Sequence, residues 1–323
     1  MSYQGQCCGT SGELFQKLFI NKTELDRVVI LALSNNKTSS PGLTKTSFCI
    51  FDTKKQTILQ DLIYPVIIKD PCCTGSKNVW LAENATIFEK ILSDISRQDL
   101  LKEVLIETYI QGTLFRLETI SFNGNVKTLA VTNLVLSDMP LFMELAFSLQ
   151  INTNCKELNG VEDWIAKILN AVSYKDGYAY TDFIVTANGF EVVEVKPRLG
   201  GWQIGEALYQ SFNYNFYKEI IEIALGRKPE VFDLKLRPMT NIGLVNIYAK
   251  NAGLFSKIIS KYINKEKPHI YPIAYEHKLI NNIIDQGTMV GVLLTHADSS
   301  EIALLNVLAE ANKLEILMDS ADV

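Results

Sequence analysis

The sequence predicts an α+β fold, in which antiparallel hairpins alternate with amphipathic helices. Two pairs of aromatic and β-branched runs flank Asn-Gly turns. One pair is 178–186 and 190–195 around Asn188-Gly189; the other is 114–122 and 126–136 around Asn123-Gly124-Asn125. Asn-Gly supplies the positive φ angles of a tight hairpin turn. Helical spacing recurs between the hairpins, most clearly at 161–172, where Trp164, Ile165, Ile168 and Leu169 share one face as a core stripe. A composition of 47% hydrophobic and 21% charged residues is that of a globular protein with an ample core, not of a disordered chain.

Taken in order, residues 1–20 are short of pattern. Asn21-Lys22-Thr23 opens a helix to about Leu33 with Thr23 as its cap. A polar, turn-rich loop follows at 34–41, then a short strand at 46–51 and helical spacing at 54–62. Tyr64-Pro65-Val66-Ile67-Ile68-Lys69 reads as a buried strand ending on a lysine, and 70–78 as a small-residue loop. Asn84 caps a helix over 85–95. Residues 104–112 form an apolar run around Glu107, and 138–153 fit no single pattern. Residues 203–225 read as one long helix stopped by Gly226. The tail alternates a strand at 240–249, a lysine-rich stretch (Lys257, Lys261, Lys265, Lys267) that reads as a solvated helix face, a strand at 289–295, and a helix over 300–312 capped by Ser299 or Ser300.

Composition excludes several classes. With 323 residues and a net charge of −5, the chain gives no reason to expect nucleic acid as a partner. No apolar run approaches the ~20 residues that span a membrane. The start lacks a basic region followed by an apolar one, so no secretory signal is expected. The six cysteines include the adjacent pairs Cys7-Cys8 and Cys72-Cys73 and show no zinc spacing. Reduced thiols in a cytoplasmic protein are the expectation. Only three histidines are present, all late in the chain, which disfavours a histidine-based metal site.

The chemistry concentrates on the hairpin at 178–195 and the residues after it. The turn folds Asp182 and Glu194 towards each other, and Arg198 follows Glu194 by four. Two carboxylates brought together inside apolar strands repel, and burying them unpaired is costly. A divalent cation between them relieves both costs, and oxygen-only ligands favour Mg²⁺, which is often shared with phosphates. The other reading is an amphipathic hairpin whose two acids are satisfied by neighbours.

Asp182 followed by Glu194-Val195-Lys196-Pro197-Arg198-Leu199-Gly200-Gly201 resembles the metal-binding end of the ATP-grasp ligases. The spacing from Arg198 to Gly201-Trp202 is similar to that of the bacterial L-amino-acid (dipeptide) ligases, within the carboxylate–amine ligase branch. The resemblance implies two α+β lobes gripping ATP, with a small lobe at 21–110, a large catalytic lobe at 111–245 and a C-terminal α+β subdomain at 246–323. It implies that Lys69 and Lys22 touch the nucleotide phosphates and that the loop with Gly75 and Ser76 folds over them. Backbone N–H groups of such a loop form an anion-binding concavity. Glu107 and Ile110 of the hinge would hold the adenine in a slot that also takes Ile67, Ile106 and Val193. Glu118 would reach the ribose, or ribose contact would be weaker. Asp182 and Glu194 would hold Mg²⁺, for which Mn²⁺ can substitute, and Arg198 would steady the transferring phosphoryl group. Trp202 would wall the amino-acid pocket.

Two departures accompany the resemblance. The family's Asn in Glu-x-Asn is Lys196 here, and an ammonium cannot bind Mg²⁺. One metal is then lost, or Lys196 replaces its charge at the catalytic centre, or the site is degenerate. The family also carries a domain ahead of the small lobe, of which residues 1–20 would be a remnant. A homo-oligomer or a partner subunit supplying that part is the corresponding expectation. The implied reaction is ATP-dependent amide formation through an acyl phosphate, with small-molecule carboxylate and amine substrates, amino acids in class, and no membrane partner. The alternatives are a catalytically reduced ATP-grasp protein that binds nucleotide or a partner, and a carboxylase-type subunit.

Overall fold

The computed structural model describes residues 48–53, 62–71, 77–138, 141–150, 156–201, 203–260, 269–281 and 286–319. The expected helices at 23–33 and 54–62 lie outside the described residues, apart from Leu62. The first described unit contains β1 (Phe48–Asp52), β2 (Val66–Lys69), β3 (Val79–Ala82), α1 (Ala85–Arg97) and β4 (Glu103–Thr108). Its sheet is antiparallel with order β1-β4-β2-β3. Helix α1 starts at Asn84, whose side chain accepts from the Ile87 N–H at 3.0 Å. It packs Phe88 and Ile95 onto Val66, Ile68, Val104 and Ile106. Because side chains alternate along a strand, Ile67, Lys69, Leu105 and Glu107 lie on the opposite face. Ile106 therefore belongs to the core beneath α1 and not to a slot shared with Ile67. Strand β3 had no separate sequence signal; it is short and, among the described strands, pairs with β2 alone.

The chain then passes through Gly112 into a second sheet. A Cβ at Gly112 would come within 2.2 Å of the Val185 carbonyl oxygen, so the crossing needs a glycine for close approach. The second sheet contains β5 (Thr113–Phe122), β6 (Asn125–Leu136), β7 (Glu144–Gln150), β8 (Gly177–Thr186), β9 (Gly189–Lys196), β10 (Asn241–Tyr248), β12 (His269–Pro272) and β14 (Met289–Ala297). Its order is β12-β14-β10-β7-β6-β5-β8-β9, with every pair antiparallel. Strand β7 comes from the stretch that sequence patterning left unplaced, and it joins β6 to β10. The sheet thus runs on past residue 245 into the tail.

Helices cover both faces. Helix α2 (Val161–Ala171) lays Trp164, Ile165, Ile168 and Leu169 on Phe115, Leu117, Val131, Phe183 and Val195, as its apolar stripe predicts. Helices α3 (Ile204–Phe212) and α4 (Phe216–Ala224) pack on Ile120, Leu134, Phe147 and Leu244. Helix α5 (Ser300–Ala311), capped by Ser299, packs Ala303 and Val307 beside β10 and β14. A third sheet, β13 (Leu279–Ile280), β11 (Gly253–Ser260) and β15 (Leu314–Asp319), lies in the tail. Among the described residues, no helix is long and apolar enough to cross a membrane.

Three expectations change. The expected long helix at 203–225 is two helices, because Asn213 adopts a left-handed φ of 49° and Asn215 caps a new start by accepting from the Tyr217 N–H. Gly226 does follow the second helix with φ 72°. Lys257 lies on strand β11, not on a helix; the other three lysines of that stretch are outside the described residues. In the β8–β9 hairpin Thr186 pairs with Gly189, so Ala187 and Asn188 are the turn residues and only Gly189 has positive φ. The Asn123-Gly124 turn has positive φ at both residues, as its sequence predicts.

Candidate active site

Strands β5, β8 and β9 set up a small lattice on the face that α3 and α4 only partly cover. Arg116 on β5 pairs with Asp182 on β8, and Asp182 pairs with Glu194 on β9. One step along, Glu118 pairs with Tyr180 and Tyr180 with Lys196. Directly opposed residues share a face. The result is two adjacent rows, Arg116–Asp182–Glu194 and Glu118–Tyr180–Lys196. A bulge after Asp182 leaves Val193 without a partner on β8 and keeps Glu194 in the row. The two acids predicted to meet do meet.

Cations answer them. Arg116 donates to Asp182 through Nε at 2.7 Å and Nη2 at 2.8 Å, a planar two-bond contact, and Nη2 also reaches Glu144 at 2.8 Å. Lys196 Nζ lies 2.5 Å from Glu194 Oε1. Arg116, Lys196 and Asp182 are only 3%, 5% and 6% exposed, so these charges are held almost without water. Burial lifts the Asp182 carboxyl, and the Arg116 guanidinium opposes that rise. Burial works to raise Glu194 too, but Lys196, Arg116 and Lys69 together hold it down at about 2. The Tyr180 ring sits amid three cations: Arg116 at 4.5 Å, Arg198 at 5.1 Å and Lys196 at 5.5 Å from its centroid. Its hydroxyl accepts from Arg198 Nη2 at 3.3 Å.

Glu118 anchors the loop beyond β9. It is 0% exposed, and its Oε2 accepts from the Gly200 N–H at 3.3 Å. Burial pushes its carboxyl up to about 7, against the pull of Arg116. A Cβ at Gly200 would meet Glu118 Oε1 at 2.4 Å, so the loop carrying Arg198 is pressed onto this acid. The sequence offered Glu118 to a ribose hydroxyl; its complete burial under the loop removes it from that role.

On the first sheet, Lys69 ends β2 as expected and pairs with Glu107 at 2.6 Å. Lys69 is also the last of the charges that lower the Glu194 carboxyl, which puts it within electrostatic reach of the second sheet. Glu107 thus engages a lysine. Ile110 is half-buried in the connection between the sheets. Lys22, Gly75, Ser76 and Trp202 lie outside the described residues. Sequence reasoning missed Arg116, Glu144 and Tyr180. An arginine in the middle of the apolar run Thr113–Phe122 was the available signal, since a buried guanidinium requires acidic partners.

The donor set can be tested against a metal held between Asp182 and Glu194. Both Asp182 oxygens receive bonds from Arg116, and Glu194 Oε1 receives Lys196. A cation placed there would confront two buried cations at contact distance. The residues do not fit an ion fixed between these two acids. Among the described residues, no three His, Cys, Asp or Glu side chains group as a metal site.

A family model described as an ATP-grasp domain matches residues 62–206. No curated protein matches the sequence. Solved structures do. An L-amino acid ligase from Bacillus licheniformis is 20% identical with a TM-score of 0.75, covering 98% of this chain and 75% of that one. A phosphoribosylglycinamide synthetase from Anaerococcus prevotii is 13% identical with a TM-score of 0.63, covering 93% of this chain and 74% of that one. The biotin carboxylase domain of the Hydrogenobacter thermophilus 2-oxoglutarate carboxylase, solved with MgADP, ADP and bicarbonate, is 15% identical with a TM-score of 0.64 over 94% and 68%. At these identities the likeness is one of fold.

Proposed function

We propose that this chain, whose residues 62–206 match the ATP-grasp domain model, binds ATP between its first two sheets and uses it for carboxylate–amine ligation, with amino acids as the substrate class. The observation that carries the reading is the pair of cations, Lys196 and Arg198, gathered around Tyr180 and Glu194, with Lys69 of the first sheet within electrostatic reach of the same acid. Cations drawn from two lobes suit a polyphosphate lying between them. The substrate class comes from the fold likeness to an L-amino acid ligase.

In this reading a substrate carboxylate oxygen bonds to the γ-phosphorus as the bond to the bridging oxygen breaks, and ADP leaves. An amine nitrogen then bonds to the acyl carbon, phosphate leaves with the former carboxylate oxygen, and the amine gives up a proton. The protein's part is positioning and charge neutralisation. Lys69 would hold phosphate oxygens, and Arg198, braced by Tyr180, would meet the charge developing on the transferred group. Glu118 would keep the Arg198 loop seated through Gly200. A neighbour of the same fold was solved with MgADP, but here Asp182 and Glu194 already hold Arg116 and Lys196, so no step in this reading is routed through a metal.

One observation favours a second reading, a nucleotide-binding protein with reduced turnover: Arg116 takes both oxygens of Asp182. Phosphate release from ATP, across amino acids singly and in pairs, separates the two. Release that requires a particular pair and vanishes in Arg198→Met supports the ligase. ATP binding with no release for any pair supports the second reading. Release that requires bicarbonate identifies a carboxylase-type reaction.

A further inference from the structure

We propose that Arg116 and Lys196 act as built-in counter-ions for Asp182 and Glu194, so that ATP binds this protein without a divalent cation bridging it to the sheet. The inference rests on the nucleotide reading above and goes further, to what balances charge in the site.

The backbone lays out the arrangement. Asp182 and Glu194 are opposed across β8 and β9, which on chemical grounds calls for a cation between them. The chain supplies two. Arg116 lies on the next strand in the same row and covers Asp182 with two bonds of 2.7 and 2.8 Å. Lys196 lies on the same strand as Glu194, two residues on, and contacts it at 2.5 Å. Both cations are more than nine-tenths buried. Neither is a surface side chain that could swing away without leaving its acid exposed to a dry interior.

The charges that touch the acid pair are matched one to one: Arg116 on Asp182 and Lys196 on Glu194, with Glu144 also on Arg116 and Arg198 beside Tyr180; Glu118, in the adjacent row, is an acid whose carboxyl burial pushes up to about 7. A divalent ion fixed between Asp182 and Glu194 would stand at contact distance from Arg116 and Lys196, which already occupy both Asp182 oxygens and Glu194 Oε1. An incoming triphosphate meets a different situation. It finds Arg198 beside Tyr180 and Lys69 on the facing sheet, while Lys196 stays on Glu194 and adds its charge from there. Lysine and arginine are adequate phosphate partners without a metal, one as a point charge and the other as a planar fork.

The test is calorimetric titration of ATP into the full chain, in excess EDTA and in excess Mg²⁺. The expected result is affinities that agree within about threefold in the two buffers, less than one factor of ten in the binding constant. Lys196→Asn, which replaces an ammonium by an amide oxygen, should weaken binding at least about tenfold in EDTA, with Mg²⁺ restoring most of it. A second readout needs no nucleotide. Mn²⁺ titration followed by electron paramagnetic resonance should show no bound ion in the unmodified protein and a bound ion in Lys196→Asn. ATP binding by the unmodified protein that collapses in EDTA and returns with Mg²⁺ overturns the inference and leaves the nucleotide reading intact. No ATP binding in either buffer overturns both. The comparison in the unmodified chain stands even if the variant fails to fold.

Discussion

Arg116 and Asp182 face each other across β5 and β8 and are joined by two bonds, 2.7 and 2.8 Å long, in a part of the sheet that water barely reaches. This pair is the hub of the site, since Arg116 also holds Glu144 and lies over Tyr180.

Breaking the pair from one side should be expensive. Arg116→Met strands the Asp182 and Glu144 carboxylates in a poorly solvated interior, at an expected cost of about 3–5 kcal/mol. Arg116→Met combined with Asp182→Asn should recover a good part of that loss. Urea unfolding of the single and double variants checks this. Equal losses in both would mean that the stranded charge is not the cause.

Glu118 should make stability depend on pH. Burial raises its carboxyl to about 7 in the folded protein. The unfolded chain gives up that proton near the ordinary Glu value of about 4.3, so between there and about pH 7 the folded state holds the proton and the unfolded state does not. Ionisation therefore favours unfolding as pH rises through this window, by roughly 3–4 kcal/mol once complete. Glu118→Gln cannot ionise, and its amide oxygen can still accept from Gly200. Its melting temperature relative to the unmodified protein should be higher at pH 8 than at pH 5. A difference independent of pH would show that Glu118 does not titrate in that range.

Gly200 tests the contact between that acid and the Arg198 loop. Gly200→Ala places a Cβ 2.4 Å from Glu118 Oε1 and 3.2 Å from both Cγ atoms of Ile204. The crowding should cost about 1–3 kcal/mol. In a double-mutant cycle with Glu118→Ala the two losses should be less than additive, because the second change removes the obstacle. Simple additivity in denaturant melts would separate the loop from Glu118.

Lys69 tests the meeting of the lobes. Lys69→Met should weaken ATP binding by at least about tenfold, or roughly 1.4 kcal/mol. Titration calorimetry with ATP reads this directly. Unchanged affinity in a folded variant would take Lys69 out of the nucleotide site.

Much of this arrangement was legible because it depends on local chemistry. The Asn-Gly pair was enough to predict a hairpin that brings Asp182 and Glu194 near each other, but their direct opposition depends on the bulge after Asp182; without it the Thr186–Gly189 register would set Asp182 against Val193 and turn Glu194 to the other face. The helical stripe of Trp164, Ile165, Ile168 and Leu169 predicted both α2 and its buried face. What was not legible depends on contacts between distant segments. Arg116 and Asp182 are 66 residues apart, and nothing near either one reports the other. Glu144 lies on β7, whose stretch has no clear period, and it becomes part of the site only because β7 pairs with β6 and β10. The break between α3 and α4 was missed because the apolar spacing continues across it, while Asn213 and Asn215 turn the backbone. The sequence offered two readings of the acid pair, a bound cation or satisfied neighbours, and Arg116 and Lys196 support the second.

The most direct test of ligation through an acyl phosphate is to follow a carboxylate oxygen. The substrate pair identified by phosphate release would be supplied with ¹⁸O in its carboxylate, with ATP, and the released phosphate analysed by mass spectrometry. The account predicts phosphate carrying ¹⁸O from the carboxylate, formed together with the amide product. Phosphate without the label, formed at the same rate, would mean that water takes the phosphoryl group, and would contradict it.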